Sequence, residues 1–274
     1  MKIFAIRDDL DSTKKDVAYL IYYERDKQFY IELPEHADPW ETPLLLSSFL
    51  KRGETTINAY WSRIWVQQRI IPSDRQNLGQ ILKENNLDEY DEFCLLMLAD
   101  GRCAQDDYYL APIREEDLPK SFLRRFQKKV EDVVPLSEKQ LLVFFRDGAV
   151  KKCNVEAILK DEITFSLILR DSSIFKSVRL QPGGYGVYWG EENTVADDVL
   201  YDCGKDVPLS LEDFRSFVEN RVVTTTEAAE LLECSRQNIN DLIQRNKLHP
   251  VKVSPKSKLF LKSEILQRKW MQTN

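Results

Sequence analysis

Apolar positions in this chain fall into short runs separated by polar turns, and the spacing within each run assigns the elements. Residues 17–23 are rich in β-branched and aromatic side chains. The polar segment 24–27 separates them from residues 28–33, and together they predict a β-hairpin. Residues 34–43, bounded by prolines, read as an irregular loop, followed by a helix over 44–51 and a strand or helix around 57–67. Ser73 and Asp74 are placed to cap a helix over 75–85. A further helix starts near Asp91, with Phe93, Leu95, Leu96 and Leu98 available for a core. Residues 141–145 form an unbroken apolar strand ended by Asp147-Gly148, a strong turn signal, and 150–153 return as its partner. Residues 163–169 and 187–189 add further apolar β material. A helix carrying Leu211, Phe214, Phe217 and Val218 over 208–220 links this region to the last one.

The C-terminal pattern is the most informative. Residues 222–232 open a helix in which Thr224 and Glu227 have capping-box spacing. Ala228, Ala229 and Leu232 give it a narrow apolar face. The chain turns at Glu233-Cys234, and Ser235 caps a second helix whose Ile239, Leu242 and Ile243 face inward at three- and four-residue spacing. Arg236, Gln237, Asn240, Gln244 and Arg245 fall on the outward side. These are residue types that read base edges or grip phosphates, arginine on guanine and glutamine or asparagine on adenine. Asp241 is also outward by this pattern and must be held away from phosphate. Asn246 suits a left-handed helix end. Residues 251–253 and 259–261 then flank a polar turn as a β-hairpin. Its Lys256 and Lys258 suit phosphate contacts, and a last helix runs from Ser263 and Glu264 through Ile265, Leu266 and Trp270.

These elements predict a multidomain α+β protein. A mixed α/β domain occupies residues 1–134, a small β-rich α+β domain 137–207, and a linker helix with a winged helix-turn-helix 208–274. A chain of 274 residues has room for two or three such cores.

Charge sharpens the division. From Arg221 onward there are ten Lys or Arg against five Asp or Glu, whereas the preceding residues hold 29 against 40. A basic end on an acidic body suits binding to double-stranded DNA. No apolar run approaches the roughly 20 residues of a membrane helix. No signal peptide is read at the N-terminus, so a cytoplasmic location is expected. The five cysteines (Cys94, Cys103, Cys153, Cys203 and Cys234) form no Cys-x-x-Cys pair and suit a reducing compartment. They and the two histidines lack the spacing of a metal site, and no cofactor is expected.

Catalytic constellations are not legible. The carboxylate runs at 88–92, 106–107 and 115–117 read as helix starts and solvated faces. His36 lies in a proline-bounded loop and His249 directly precedes Pro250, so neither reads as a catalytic base. Tyr60, Trp61 and Trp65 read as core. The segment Gln181-Pro182-Gly183-Gly184-Tyr185-Gly186 lacks the Gly-Lys-Ser/Thr ending of a phosphate loop and reads as a hairpin turn. The chain is expected not to be an enzyme.

Three resemblances bear on function. Thr224, Glu227-Ala228-Ala229, Leu231-Leu232, Ser235-Arg236-Gln237, Ile239, Leu242-Ile243, Lys247-Leu248 and Lys262-Ser263-Glu264-Ile265 resemble the excisionase and MerR-like winged helix-turn-helix family, except that Asn246 stands where that family usually has glycine. Val143-Phe144-Phe145-Arg146-Asp147-Gly148, Phe175 with Val178, Val187-Tyr188-Trp189 and Asp198-Val199-Leu200-Tyr201 resemble a bacterial domain family of unknown function encoded beside small toxins in toxin–antitoxin operons. Arg69-Ile70-Ile71-Pro72, Arg75, Ile81-Leu82, Asp91-Glu92-Phe93-Cys94-Leu95-Leu96 and Asp100-Gly101 resemble the N-terminal subdomain of HipA-type toxin kinases, with no counterpart of the kinase core.

These resemblances imply a bacterial DNA-binding transcriptional regulator, antitoxin-like and autoregulating its operon, that acts as a homodimer. Arg236, Gln237 and Asn240 would read bases, while Ser235, Arg245, Lys256 and Lys258 would hold the backbone, with Gln244 on the same outward face. The alternative they imply is an interaction module or antitoxin that restrains a partner toxin such as a HipA-like kinase.

Overall fold

The structure is a computed structural model that describes residues 1–159, 163–190 and 193–273, with the side chains of 163 and 270–273 outside the description. It is a mixed α+β protein with several separate antiparallel sheets, divided into two compact units, Met1–Asp206 and Val207–Asn274.

The first unit opens with β1 (Lys2–Asp8), β2 (Asp16–Tyr23), β3 (Gln28–Glu32) and α1 (Leu44–Leu50). These are followed by β4 (Thr56–Ile57), α2 (Ala59–Gln67), α3 (Leu78–Glu84), α4 (Glu92–Leu98), β5 (Tyr108–Ile113) and α5 (Lys120–Gln127). The expected hairpin forms, with Tyr23 opposite Gln28. It lies within a five-stranded sheet of order β4-β3-β2-β1-β5. Alternate residues of a strand point to opposite faces, and here both faces are buried. Phe4, Ile6, Leu20 and Ile31 pack with Leu46, Phe49, Trp65 and Leu96 of the helices. Ile3, Ala5, Tyr19 and Ile21 pack on the other side with Leu118, Phe122 and Tyr185. Two covered faces explain why β1 and β2 read as continuous apolar runs without polar alternation.

Two sequence expectations are corrected in this stretch. The helix expected from Arg75 begins at Leu78, with Asn77 in place of Ser73 or Asp74 as its N-cap residue. Residues 72–75 are used by a turn in which the Arg75 N–H donates to the Pro72 carbonyl. Of the aromatic group at 60–65 only Trp65 is core. Tyr60 and Trp61 are exposed.

The chain continues with β6 (Val130–Pro135), β7 (Gln140–Phe145), β8 (Val150–Asn154), α6 (Val155–Ile158), α7 (Ser166–Arg170) and α8 (Ser172–Lys176). Then come β9 (Arg179–Leu180), β10 (Gly186–Trp189), β11 (Asn193–Ala196), α9 (Asp197–Cys203) and β12 (Lys205–Asp206). A four-stranded sheet of order β12-β8-β7-β6 and a three-stranded sheet of order β11-β10-β9 share one core built around Val143, Phe145, Phe175, Val187 and Trp189. The Asp147-Gly148 turn joins β7 to β8 as expected, with Gly148 at positive φ. Residues 163–169 do not form a strand. Residues 163–165 make a 3-10 turn that runs into α7. Phe165 and Ile168 are buried and Leu167 is 69% exposed, a three-residue spacing that only a helix satisfies.

The glycine-rich segment 181–186 connects β9 to β10 as a tight turn. Gly184 has φ +77°, and a Cβ there would overlap the Val130 carbonyl, so the close approach of this turn to β6 needs glycine. The turn also delivers Tyr185 to the five-stranded sheet, where its ring stacks on Tyr30 with centroids 3.8 Å apart. Beside it sits a buried charge cluster. Lys129 Nζ lies 3.1 Å from Asp197 and 3.5 Å from Glu32, and Arg125 lies 3.2 Å from Glu32. Burial pushes the Asp197 carboxyl up to about 6, with Lys129 pulling the other way. Burial also raises the Tyr185 phenol far above its usual range, helped by the Glu32 carboxylate. No helix among the described residues is long and apolar enough to cross a membrane.

The second unit holds α10 (Leu211–Arg221), β13 (Val222–Thr224), α11 (Thr225–Leu231), α12 (Arg236–Gln244), β14 (Lys252–Val253), β15 (Lys258–Leu261) and α13 (Lys262–Thr273). Residues 222–224, expected to lead into a helix, instead form a strand that pairs with β15, giving a sheet of order β13-β15-β14. Its core joins Val223, Ala228, Leu232, Ile239, Leu242, Phe260 and Ile265.

Candidate nucleic-acid interface

The helix-turn-helix is assembled by local hydrogen bonds that its residue types specify. Thr224 Oγ1 accepts from the Glu227 N–H at 3.3 Å, while Glu227 Oε2 accepts from the Thr224 N–H at 2.7 Å. The Thr224 backbone N–H first, and its hydroxyl second, which donates to Glu227 Oε2 at 2.9 Å, hold the Glu227 carboxyl below its usual range. Ala228 is fully buried, and its small side chain lets α12 come close. Glu233 takes φ +52° to turn the chain, and the Cys234 N–H donates to the Ala229 carbonyl at 2.9 Å.

Ser235 begins α12, its Oγ accepting from the Asn238 N–H at 3.2 Å. Ile239 and Leu242 are buried and Ile243 packs against the same core, as their spacing predicts. After α12, Asn246 adopts φ +56° and the Lys247 N–H closes on the Leu242 carbonyl at 2.8 Å. An asparagine therefore fills the left-handed position, which it tolerates better than most residues.

β14 and β15 form the expected wing hairpin. Val253 pairs with Lys258 across the four-residue turn 254–257, where the backbones of Ser254 and Ser257 bond each other. α13 is tied back at two points. Glu264 accepts from the His249 N–H at 2.9 Å and faces its Nδ1 at 3.0 Å, and Lys269 Nζ lies 2.7 Å from Glu233. The Trp270 side chain lies outside the described residues.

Arg236 and Gln237 are exposed on the first turn of α12. Gln244 is exposed at its last turn, and Arg245 follows as the C-cap residue, also exposed. Positions 236, 237, 240 and 244 share one face of the helix by their three- and four-residue spacing. Asn240, in the middle of that face, is half-buried. Lys256 is exposed at the wing turn. Lys258 lies in β15, is half-buried, and donates from Nζ to Asn240 Oδ1 at 2.8 Å. The arrangement thus joins a residue cast as a base reader to one cast as a phosphate contact.

Asp241, outward by pattern, is half-buried. Residue-type reasoning passed over Asn238, Lys247 and Lys252, which are exposed in the same unit. Lys252 was legible as a cation alternating with Val251 and Val253 in a wing strand.

The carboxylate runs of the first unit have partners. Asp91 caps α4 by accepting from the Cys94 N–H at 2.9 Å. Glu92 pairs with Arg63 at 2.8 Å, and Asp106 pairs with Arg69 at 2.6 Å. His36 lines a pocket of about 200 Å³ with Lys15, Asp16, Asp38, Glu41 and Ser121, in which Asp16 is paired with Arg7 and Glu41 with Lys15. Among the described residues no three His, Cys, Asp or Glu side chains form a group able to hold a metal ion.

Comparison with known proteins bears on the second unit. No curated protein and no solved structure matches the chain. Residues 222–273, from β13 through α13, match a family model described as a helix-turn-helix domain, and a domain of that kind suggests DNA binding.

Proposed function

We propose that this chain is a DNA-binding transcriptional regulator whose second unit lays α12 in the major groove of double-stranded DNA and sets its wing against the flanking phosphates. The observation that carries this reading is the exposed row of Arg236, Gln237, Gln244 and Arg245 on the second helix of a helix-turn-helix. A recognition helix meets base edges through residues near its start, where Arg236 and Gln237 stand. Two-fold symmetric DNA sites suit a homodimer, and that is the assembly proposed. The test is binding of the full chain to duplex DNA from its own promoter region over a range of salt concentrations. Displaced counterions make affinity fall steeply as salt rises. A chain that holds no duplex at low salt, or holds it equally at all salt concentrations, defeats the reading.

A second reading, that the first unit holds a protein partner as an antitoxin would, is favoured by Trp40 and Leu44. Their side chains are 90% and 89% exposed, with the exposed Tyr60 and Trp61 on α2. Tyr and Trp side chains are enriched among the residues that anchor protein interfaces. The Trp40→Ser/Leu44→Ser variant keeps the DNA affinity of the wild type and loses the protein that co-purifies with it at native levels. If nothing co-purifies, or if the variant retains the same protein, this reading is wrong.

A further inference from the structure

The contact between the wing and α12 limits what Asn240 can read. Lys258 Nζ sits 2.8 Å from the Asn240 amide. An ammonium group has only protons to give, so the amide atom that faces it is the oxygen, and Nδ2 with its two protons is left on the other side. Lys258 is placed by its strand. Its backbone pairs with Val253 of β14, and its carbonyl accepts from Thr225 Oγ1 at 3.4 Å. Both side chains are half-buried, unlike the exposed Lys256 at the turn. The group that Lys258 touches is neutral, so its positive charge is left for another partner.

An asparagine that recognises adenine uses both ends of its amide. The oxygen accepts from N6 and the nitrogen donates to N7. With Asn240 Oδ1 held by a full positive charge, an N6 proton would have to approach beside that charge, and the two repel. What remains to meet a base is the donor end of the amide, Nδ2 of Asn240. Guanine is the base that presents two adjacent acceptors, O6 and N7, and no donor in the major groove. Resting on the reading that α12 enters the major groove, we propose that Lys258 and Asn240 act as one donor-only unit that selects guanine. Lys258 is the positioning residue that fixes which face of the Asn240 amide meets the base.

The full chain is used to select from a duplex library with randomised positions. The base pair whose selection changes in Asn240→Ala marks the contact. The wild type is expected to select a G·C pair there. Lys258→Met keeps the apolar stem and frees Oδ1, and it is expected to move the preference at that pair towards A·T by about five-fold or more in relative affinity. The double variant Lys258→Met/Asn240→Ala is expected to show the profile of Asn240→Ala alone, because the lysine acts through the amide. An A·T preference of the wild type at that pair overturns the proposal even if Lys258→Met fails to fold. So does an Asn240→Ala profile equal to that of the wild type, or a Lys258→Met variant that weakens all sequences alike. In those three cases DNA binding itself stands. A wild-type chain that retains no duplex overturns both readings.

Discussion

At the scale of single residues, the proposed function divides the work of holding DNA between the exposed ends of α12 and the wing turn. Arg236 and Gln237 are exposed on the first turn of α12 and carry side chains able to make paired hydrogen bonds. Replacing either with alanine is expected to cost about 1 to 3 kcal/mol of discrimination between the preferred site and a site changed at one base pair. Lys256 is exposed at the wing turn and reads no base on this account. Lys256→Ala is expected to weaken binding to all sequences alike and to reduce the salt slope by about one. Competition titrations on matched and mismatched duplexes separate the two effects. Equal losses on both duplexes for Arg236→Ala contradict the role given to it.

At the scale of elements, caps and turns were the readable features and long-range pairing was not. The capping boxes are written in four consecutive residues, and the Thr224–Glu227 box forms as its spacing dictates. Thr224→Ala removes the hydroxyl that accepts from the Glu227 N–H, and thermal or denaturant unfolding is expected to show a loss of about 1 kcal/mol. No measurable loss would mean that the pairing of β13 with β15 alone starts α11. The depressed Glu227 carboxyl adds a pH signature. Its contribution is present above the usual glutamate range and fades as pH falls through it, since protonation removes the acceptor. By contrast, β1, β5 and β6 escaped sequence reading. β1 and β5 meet far along the chain, as when Ile3 pairs with Ile113, whereas β6 pairs with the adjacent β7 but has its apolar pattern broken by Glu131 and Asp132. The short apolar run 163–169 fits a strand or a helix equally well, and only burial of Phe165 and Ile168 decides between them.

At the scale of the molecule, the buried joint of Glu32, Lys129 and Asp197 links the five-stranded sheet to the segment 129–197 within the first unit. Sequence distance hides it, since Lys129 and Asp197 stand 68 positions apart. Taking a carboxylate out of water disfavours its ionised form, and Asp197 titrates at about 6 in the folded chain, above its ordinary value. Its favourable contribution is therefore fully present below about pH 4 and is lost as pH rises through about 6. Asp197→Asn is expected to gain on the wild type by about 3 kcal/mol across that window, measured as the difference in unfolding free energy at pH 4 and pH 7. If the variant instead loses stability relative to the wild type as pH rises, attraction to Lys129 outweighs burial and the assignment is wrong. The charge contrast along the chain also belongs to this scale. Residues from Arg221 onward are basic and the rest acidic, which predicts that the acidic part contributes nothing to the salt dependence of DNA binding.

What the sequence determined by itself was the helix-turn-helix: its caps, its turn at Glu233 and Asn246, the inward Ile239 and Leu242, and the residue types on the outer face of α12. Those features depend on neighbours three to five positions away, and such short-range order is written in the local pattern. Tertiary structure decided the rest. It placed β13 beside β15, covered both faces of the five-stranded sheet, and brought the Asp197 carboxylate to Lys129. It also brought Lys258 Nζ onto the amide of Asn240. That contact spans 18 positions and depends on where the wing folds back, so no local periodicity encodes it. It is set by the core that holds β15 against α11, through Phe260 and Ala228.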